Sequence, residues 1–549
     1  MIDYSVIWQE KDPAEWMQSG DAGSDHMENS KMAGKDLTVT EREIRRRRSG
    51  LLLKCLIAVL IFASVGMIIW IVYETRFREH RNPWTNAGTG TLAGGEDLTL
   101  AEADSSGGDT SSGREDADSQ GAGEGGQTPE GTGGSAQDGS DGADMAGADA
   151  EEGSVEAKAN RMAAQYDYDS AIALLKQQPG YDRNDRYRNL VSTYEDAKAS
   201  CQPYPIDQIT HVFFHSLVCD TSRAFDGDTD EAGYNQVMTT VSEMESILQQ
   251  MYNRGFVMVS LHDMVSFDEE GNLSKKEILL PPGKTPFVLS QDDVSYYHYM
   301  DGDGFPQKLI VTQDGKVKNS YREEDGSVSI GDYDVVPMVD TFVEQHPDFS
   351  YHGHKGILAL TGYEGVLGYR TDEVYKTRQA DRITEFQQAF FEENPDFDFD
   401  REVEEATKVA QAMKAQGWEF ASHTWGHINP RACSLESLQR DSDRWQNFVA
   451  PIVGNTDVLI FAFGADLGDW QPYTMSNEYY AHYQKMGFRI FCNVDASTKY
   501  WVQIGPDYLR QARRNLDGYR MYYTPELISD LYDVSLAWDE MRPTPVPPM

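Results

Sequence analysis

The chain has 549 residues and a formal net charge of -42, from 90 acidic against 48 basic residues. That length is enough for more than one domain, and no basic patch points to nucleic acid as a partner. Five cysteines, Cys55, Cys201, Cys219, Cys433 and Cys492, are too few and too scattered for a disulfide scaffold or a cysteine-based zinc site. Separate buried thiols are expected, with a Cys201–Cys219 bridge as the alternative.

Residues 1–48 are polar and end in Arg42, Arg45, Arg46, Arg47 and Arg48. Residues 51–73, LLLKCLIAVLIFASVGMIIWIVY, are apolar apart from Lys54 and long enough to cross a bilayer as one helix. The span lies behind about fifty polar residues, which is unlike a cleaved signal, so it is expected to be retained as a transmembrane helix. The arginine cluster before it outweighs Arg76, Arg78 and Arg81 after it. The positive side stays inside, so 1–48 is read as a cytoplasmic tail and everything after residue 73 as extracellular, at the cell membrane. Residues 84–157 hold Arg114 as the only basic residue among Asp, Glu, Gly, Ser and Ala, the composition of a disordered, self-repelling acidic linker. Much of the negative charge sits there. Residues 160–200 read as a helical hairpin, with Tyr187, Leu190, Val191, Tyr194 and Ala197 at helical spacing and QQPGYDRND as the connector.

From about residue 205 short apolar strands alternate with helices. Strands are expected at 209–217, 256–261, 285–290, 356–360, 418–422, 458–463 and 488–494, and helices at 241–252, 403–416 and 435–449. This alternation predicts an α/β fold with mainly parallel strands, in which chemistry gathers at the carboxyl ends of the strands. The polar stretch between residue 294 and residue 355, with DGDG and QDGK, reads as an inserted β-hairpin region rimming that end. DGDG lacks the acidic residue at the spacing of a hand-shaped calcium loop.

Two features stand at such strand ends. Asp292 and Asp293 close the run FVLSQDD, and two adjacent acids beyond an apolar strand repel each other unless a cation compensates them. In EFASHTWGHINP, residues 419–430, His423 and His427 are four apart, which puts both imidazoles on one face if the chain turns helical there. A catalytic divalent ion typically takes three protein ligands and keeps a position for water. Asp293, His423 and His427 are a candidate set, with Asp292 beside them as general base.

The tandem acids, the later HTWGH and a following strand ending in FAFGAD resemble the polysaccharide deacetylases of carbohydrate esterase family four, the NodB homology domain. Their motifs are of the form TFDDG, H(S/T)xxH and RxPxG or FAYPxG, in that order. The resemblance covers roughly residues 205–535. It implies a distorted (β/α) barrel, one divalent metal ion, zinc or similar, on Asp293, His423 and His427, and Asp292 as base. It also implies a polysaccharide substrate, peptidoglycan or another N-acetylglucosamine polymer, from which acetyl is removed. The sequence departs from the pattern in several places. Gln291 and Val294 replace the aromatic residue and the glycine of the first motif, IFAFGAD at 460–466 lacks the arginine and proline of the third, and no leucine-x-histidine motif follows.

These departures leave the general acid open. His298, His352 and His354 are alternatives for it, and Arg370, Arg513 or Arg514 for the missing arginine. Tyr296, Tyr297, Trp425 and Trp470 are candidates for sugar-stacking walls or for core packing, and Asp466 and Asp469 for binding substrate hydroxyls or, by preference, for capping turns. A backbone N–H within 463–465 is expected to meet the oxyanion. The rival readings are a catalytically silent carbohydrate-binding module and an O-acetyl polysaccharide esterase.

Overall fold

The computed structural model describes residues 153–379 and 382–549. The tail expected at 1–48, the membrane span at 51–73 and nearly all of the linker at 84–157 lie outside the described residues. Among those described, no helix is long and apolar enough to cross a membrane.

Among the described residues three helices come first, α1 Val155–Ala164, α2 Tyr168–Lys176 and α3 Asp185–Ser200, where the sequence predicts a hairpin of two. Gly180, at φ 82°, turns the chain between α2 and α3, a conformation that costs glycine little. The three bury Ala159, Ala163, Ala171, Leu175, Val191 and Tyr194 in one apolar cluster with the barrel residues Val288, Ile357, Ala421, Val458 and Ile490.

The barrel strands are β1 Thr210–Phe214, β2 Phe256–Met258, β3 Thr285–Asp292, β4 Ile357–Leu360, β5 Glu419–Ser422, β6 Val458–Ile460, β7 Ile490–Val494 and β8 Leu509–Asn515. Seven of them close on themselves in the order β3-β4-β5-β6-β7-β8-β1-β3, every pairing parallel. The eighth, β2, shares an edge of β3 with β4: β2 pairs Thr285 to Phe287, and β4 pairs Ser290 to Asp292. This split seam distorts the (β/α) barrel, as the resemblance to the NodB homology domain implies. Alternation along β3 sends Val288 to the interior cluster and Phe287 and Leu289 outward to the helices.

The outer helices form for local reasons. Helix α4 Val241–Asn253 starts at a capping box of Thr240 and Glu243 and buries Met244, Ile247, Leu248 and Met251 at helical spacing. Helices α5 Val335–Gln345, α6 Phe399–Ala415, α7 Leu435–Phe448 and α8 Glu478–Met486 follow. The insertion is a three-stranded antiparallel sheet, Lys308–Val311, Val317–Arg322 and Val328–Gly331, with α5 behind it.

Strand β8 has no counterpart among the predicted strands. Its sequence, LRQARRN, carries three arginines, yet all seven residues are buried. Each arginine has its own carboxylate: Arg510 pairs with Asp466, Arg513 with Asp292 and Arg514 with Asp530. Paired in this way the charges tolerate an interior that would otherwise exclude them.

Candidate active site

Asp292 ends β3 and Asp293 turns the chain away from it. Strand alternation points Asp292 the same way as Val288 and Ser290, into the mouth of the barrel. Asp293 takes φ 59°, a strained left-handed value for a residue with a Cβ, and its N–H donates to the Ala359 carbonyl at 3.1 Å. Buried Arg370 secures the turn by donating to the carbonyls of Ser295 and Tyr296 at 3.2 and 2.8 Å.

His423 and His427 follow β5, but on a loop rather than the helix that their spacing suggests. Thr424 and His427 take φ 64° and 50°, and the N–H groups of Trp425 and Gly426, which a helix would direct along its axis, donate to Asp441 instead. The rings nonetheless meet, with centroids 5.0 Å apart. The His423 Nδ1 bonds the Ile460 carbonyl at 2.8 Å, which fixes the ring and leaves Nε2 to face the acids.

The four residues converge. His427 Nε2 lies 3.8 Å from Asp293 Oδ2, and His423 Nε2 lies 3.9 Å from Asp292 Oδ2. One ligand atom each from Asp293, His423 and His427 falls within 4.8 Å of the others. Bonds of about 2.1 Å to a tetrahedral ion put ligand atoms roughly 3.4 Å apart, so a small inward movement of the side chains would complete the coordination. Two imidazoles and a carboxylate are a donor set suited to zinc or a similar divalent ion. Burial lowers both histidines below their ordinary value, His427 to about 4, so the imidazoles are neutral at neutral pH and their lone pairs are available.

The tandem acids differ in their surroundings. Burial pushes the Asp292 carboxyl up, but the Arg513 guanidinium and His423 more than reverse this and hold it well below the usual carboxylate range. Arg513 reaches across β1 and grips both carboxylate oxygens at 2.7 and 2.9 Å. No arginine among the described residues pairs with Asp293; burial raises its carboxyl, opposed by His423 and His215, and Tyr297 donates to it at 3.1 Å.

A cavity of about 60 Å³ joins these groups, and His215 and Asp517 line it as well. His215, just beyond the end of β1, bonds the Val237 carbonyl through Nδ1 at 3.1 Å. Sequence reasoning missed it as a site residue. Its place at the carboxyl end of a predicted strand was the available signal. Beyond β6, Phe463 and Gly464 take φ 58° and 62°, and a Cβ on Gly464 would come within 2.6 Å of the Val494 Cβ. The N–H groups of Gly464 and Ala465 donate to the Phe461 and Ala462 carbonyls. Of the three expected oxyanion donors, only Phe463 is not engaged by that turn.

Several other sequence candidates lie outside this cavity. His298 is held between Asp301 and Tyr375, His354 bonds Asp263, and His352 and His354 line a separate polar cleft. Arg514 pairs with Asp530. Asp466 and Asp469 are ion-paired, to Arg510 and Arg431, rather than simple turn caps. Tyr296, Tyr297 and Trp425 are buried, whereas Trp470 is 72% exposed.

The polysaccharide deacetylase family model matches residues 396–484, a stretch that contains both histidines but not the tandem acids. No curated protein sequence matches the chain. Among solved structures, the Streptococcus pyogenes deacetylase PplD in complex with acetate is similar at 11% identity, covering 60% of this chain and 100% of that one, with a TM-score of 0.30. BC0361, a polysaccharide deacetylase from Bacillus cereus, is similar at 10% identity, covering 60% and 69%, with a TM-score of 0.28. Residues 396–484 are thus similar to a polysaccharide deacetylase, and they lie within the closed parallel barrel.

Proposed function

We propose that the domain is a metal-dependent hydrolase that removes acetyl groups from N-acetylated sugars of a cell-wall or surface polysaccharide. The observation that carries this reading is the convergence of Asp293, His423 and His427 beside an ionised Asp292. Asp293, His423 and His427 are the proposed ligands. A divalent ion held there, zinc by its donor set, would acidify a coordinated water and polarise the acyl carbonyl.

The side chains of the protein have distinct tasks. Asp292 accepts the proton of the attacking water, and Arg513 keeps it ionised and fixes the direction of its oxygens. The water oxygen bonds to the acetyl carbon, the carbon–nitrogen bond breaks, and the departing amine needs a proton. His215 faces the same cavity, and because Nδ1 donates to the Val237 carbonyl its Nε2 carries a proton only as the imidazolium; that cation is the proposed donor to the amine, and the proton held by Asp292 recharges it on product release. Trp470 is the one of the four candidate aromatics with a face free for a sugar ring. In the proposed setting the span 51–73 anchors the chain and the domain lies outside the cell, within reach of wall polymers.

The test is acetate release from chitooligosaccharide, peptidoglycan and O-acetylated xylan by the full-length chain, after chelation and after return of metal, with Asp292→Asn as control. Metal-dependent release from an N-acetylated substrate is expected. Release from xylan alone would replace this reading with an esterase, and no release from a metal-loaded chain would replace it with a silent module.

A further inference from the structure

We infer that helix α7 is the clamp that sets the spacing of the two imidazoles, through Asp441 and Arg444, which act as positioning residues. This rests on the reading of His423 and His427 as metal ligands. The loop between them is strained, with Thr424 and His427 both at positive φ, and such conformations persist where the surroundings hold them. The holding groups are identifiable. Asp441 Oδ2 accepts the Trp425 N–H and Oδ1 accepts the Gly426 N–H, each at 2.7 Å. Both bonds are charge-assisted, the stronger kind of hydrogen bond, the one from Trp425 buried and the one from Gly426 partly buried.

Three further contacts fix the same peptide. The Arg444 guanidinium carbon sits 3.3 Å from the centre of the Trp425 ring. The Trp425 carbonyl accepts from Gly362 at 2.8 Å and from Tyr363 at 3.1 Å, on the loop beyond β4. A Cβ on Gly426 would lie 3.2 Å from Asp441 Oδ1, so the bare glycine permits the close approach. Asp441 and Arg444 are three apart, so one face of α7 holds the middle of the loop from both its backbone and its side chain. The two histidines at the loop ends are thereby left with little freedom to separate. Outer groups of this kind, acting on metal ligands, typically govern affinity by roughly 10- to 100-fold.

The experiment titrates Co²⁺ into the chelated full-length chain and its variants, reading affinity by chelator competition and geometry by the visible d–d spectrum. Asp441→Asn keeps the shape but loses one of the two acceptors; Arg444→Gln removes the stacked cation from a partly exposed position. Ser442→Ala is the control, because it disturbs the same buried turn of α7 through its bond to Leu438 without touching the loop. Asp441→Asn is expected to weaken Co²⁺ binding roughly 10- to 100-fold and alter the spectrum, and Arg444→Gln to do so to a smaller extent. Ser442→Ala should leave both unchanged. Wild-type affinity and spectrum in Asp441→Asn and Arg444→Gln, or equal weakening in Ser442→Ala, overturns the clamp while the metal reading stands. A wild-type chain that takes up no Co²⁺ overturns both.

Discussion

Replacing Arg513 by methionine removes the cation from Asp292, whose side chain is 3% exposed. Arg513 itself is 1% exposed, donates to both oxygens of Asp292 and to Ser290 Oγ, and lies 4.1 Å over the Phe213 ring. Breaking a buried pair from one side costs about 3–5 kcal/mol, because the remaining charge is desolvated without compensation. Asp292→Asn leaves Arg513 in the converse position and should cost a comparable amount. The double variant has no stranded charge, so its loss should fall short of the sum by about 2–3 kcal/mol. The pH dependence changes sign as well. In the wild type the lowered Asp292 carboxyl contributes stability that is present above its unfolded value near 3.9 and lost as pH falls through the folded value. Without Arg513 the upward push of burial dominates, so the variant should lose stability as pH rises. Urea unfolding of the four proteins at pH 5 and pH 8 measures both effects. Additive, pH-independent losses would refute the argument.

Three other outcomes follow from the geometry. Trp470→Ala should raise the KM for chitooligosaccharides roughly three- to tenfold with kcat and Tm little changed, since the ring contributes no buried packing. His262 bonds Glu419 at 3.2 Å and Asp457 at 3.0 Å; burial alone would lower it, but these acids raise it to about 10. Its stabilising contribution is therefore complete below about pH 6.5 and lost as pH climbs towards that value, and His262→Gln should flatten a Tm-against-pH curve over this window. Gly464→Ala should destabilise by about 1–3 kcal/mol in thermal or chemical unfolding, from positive φ and from the contact with Val494.

The parts of the site carried by local patterns were legible in the sequence. Asp292 and Asp293 are adjacent, and His423 and His427 are four apart behind an apolar strand, so short-range spacing marked both pairs. The local geometry of the histidines was not, because Asp441 draws their loop out of helical form. Arg513 was one of several arginines open for the site, and nothing local singled it out. Its partner Asp292 is 221 residues away, and β8 is absent from the expected strands because its three arginines find Asp466, Asp292 and Asp530 only in the closed barrel. His215 was hidden for the converse reason: a lone histidine at a strand end has no companion spacing, and only the fold brings it to the acids. The split seam at β3 likewise depends on two strands from distant segments sharing one edge.

Anomalous scattering from crystals of the chain grown with zinc, measured on both sides of the zinc edge, tests the central claim most directly. One peak is expected about 2.1 Å from Asp293 Oδ2, His423 Nε2 and His427 Nε2, with Asp292 still held by Arg513. No peak among those three side chains, with the zinc edge visible elsewhere or not at all, would contradict it.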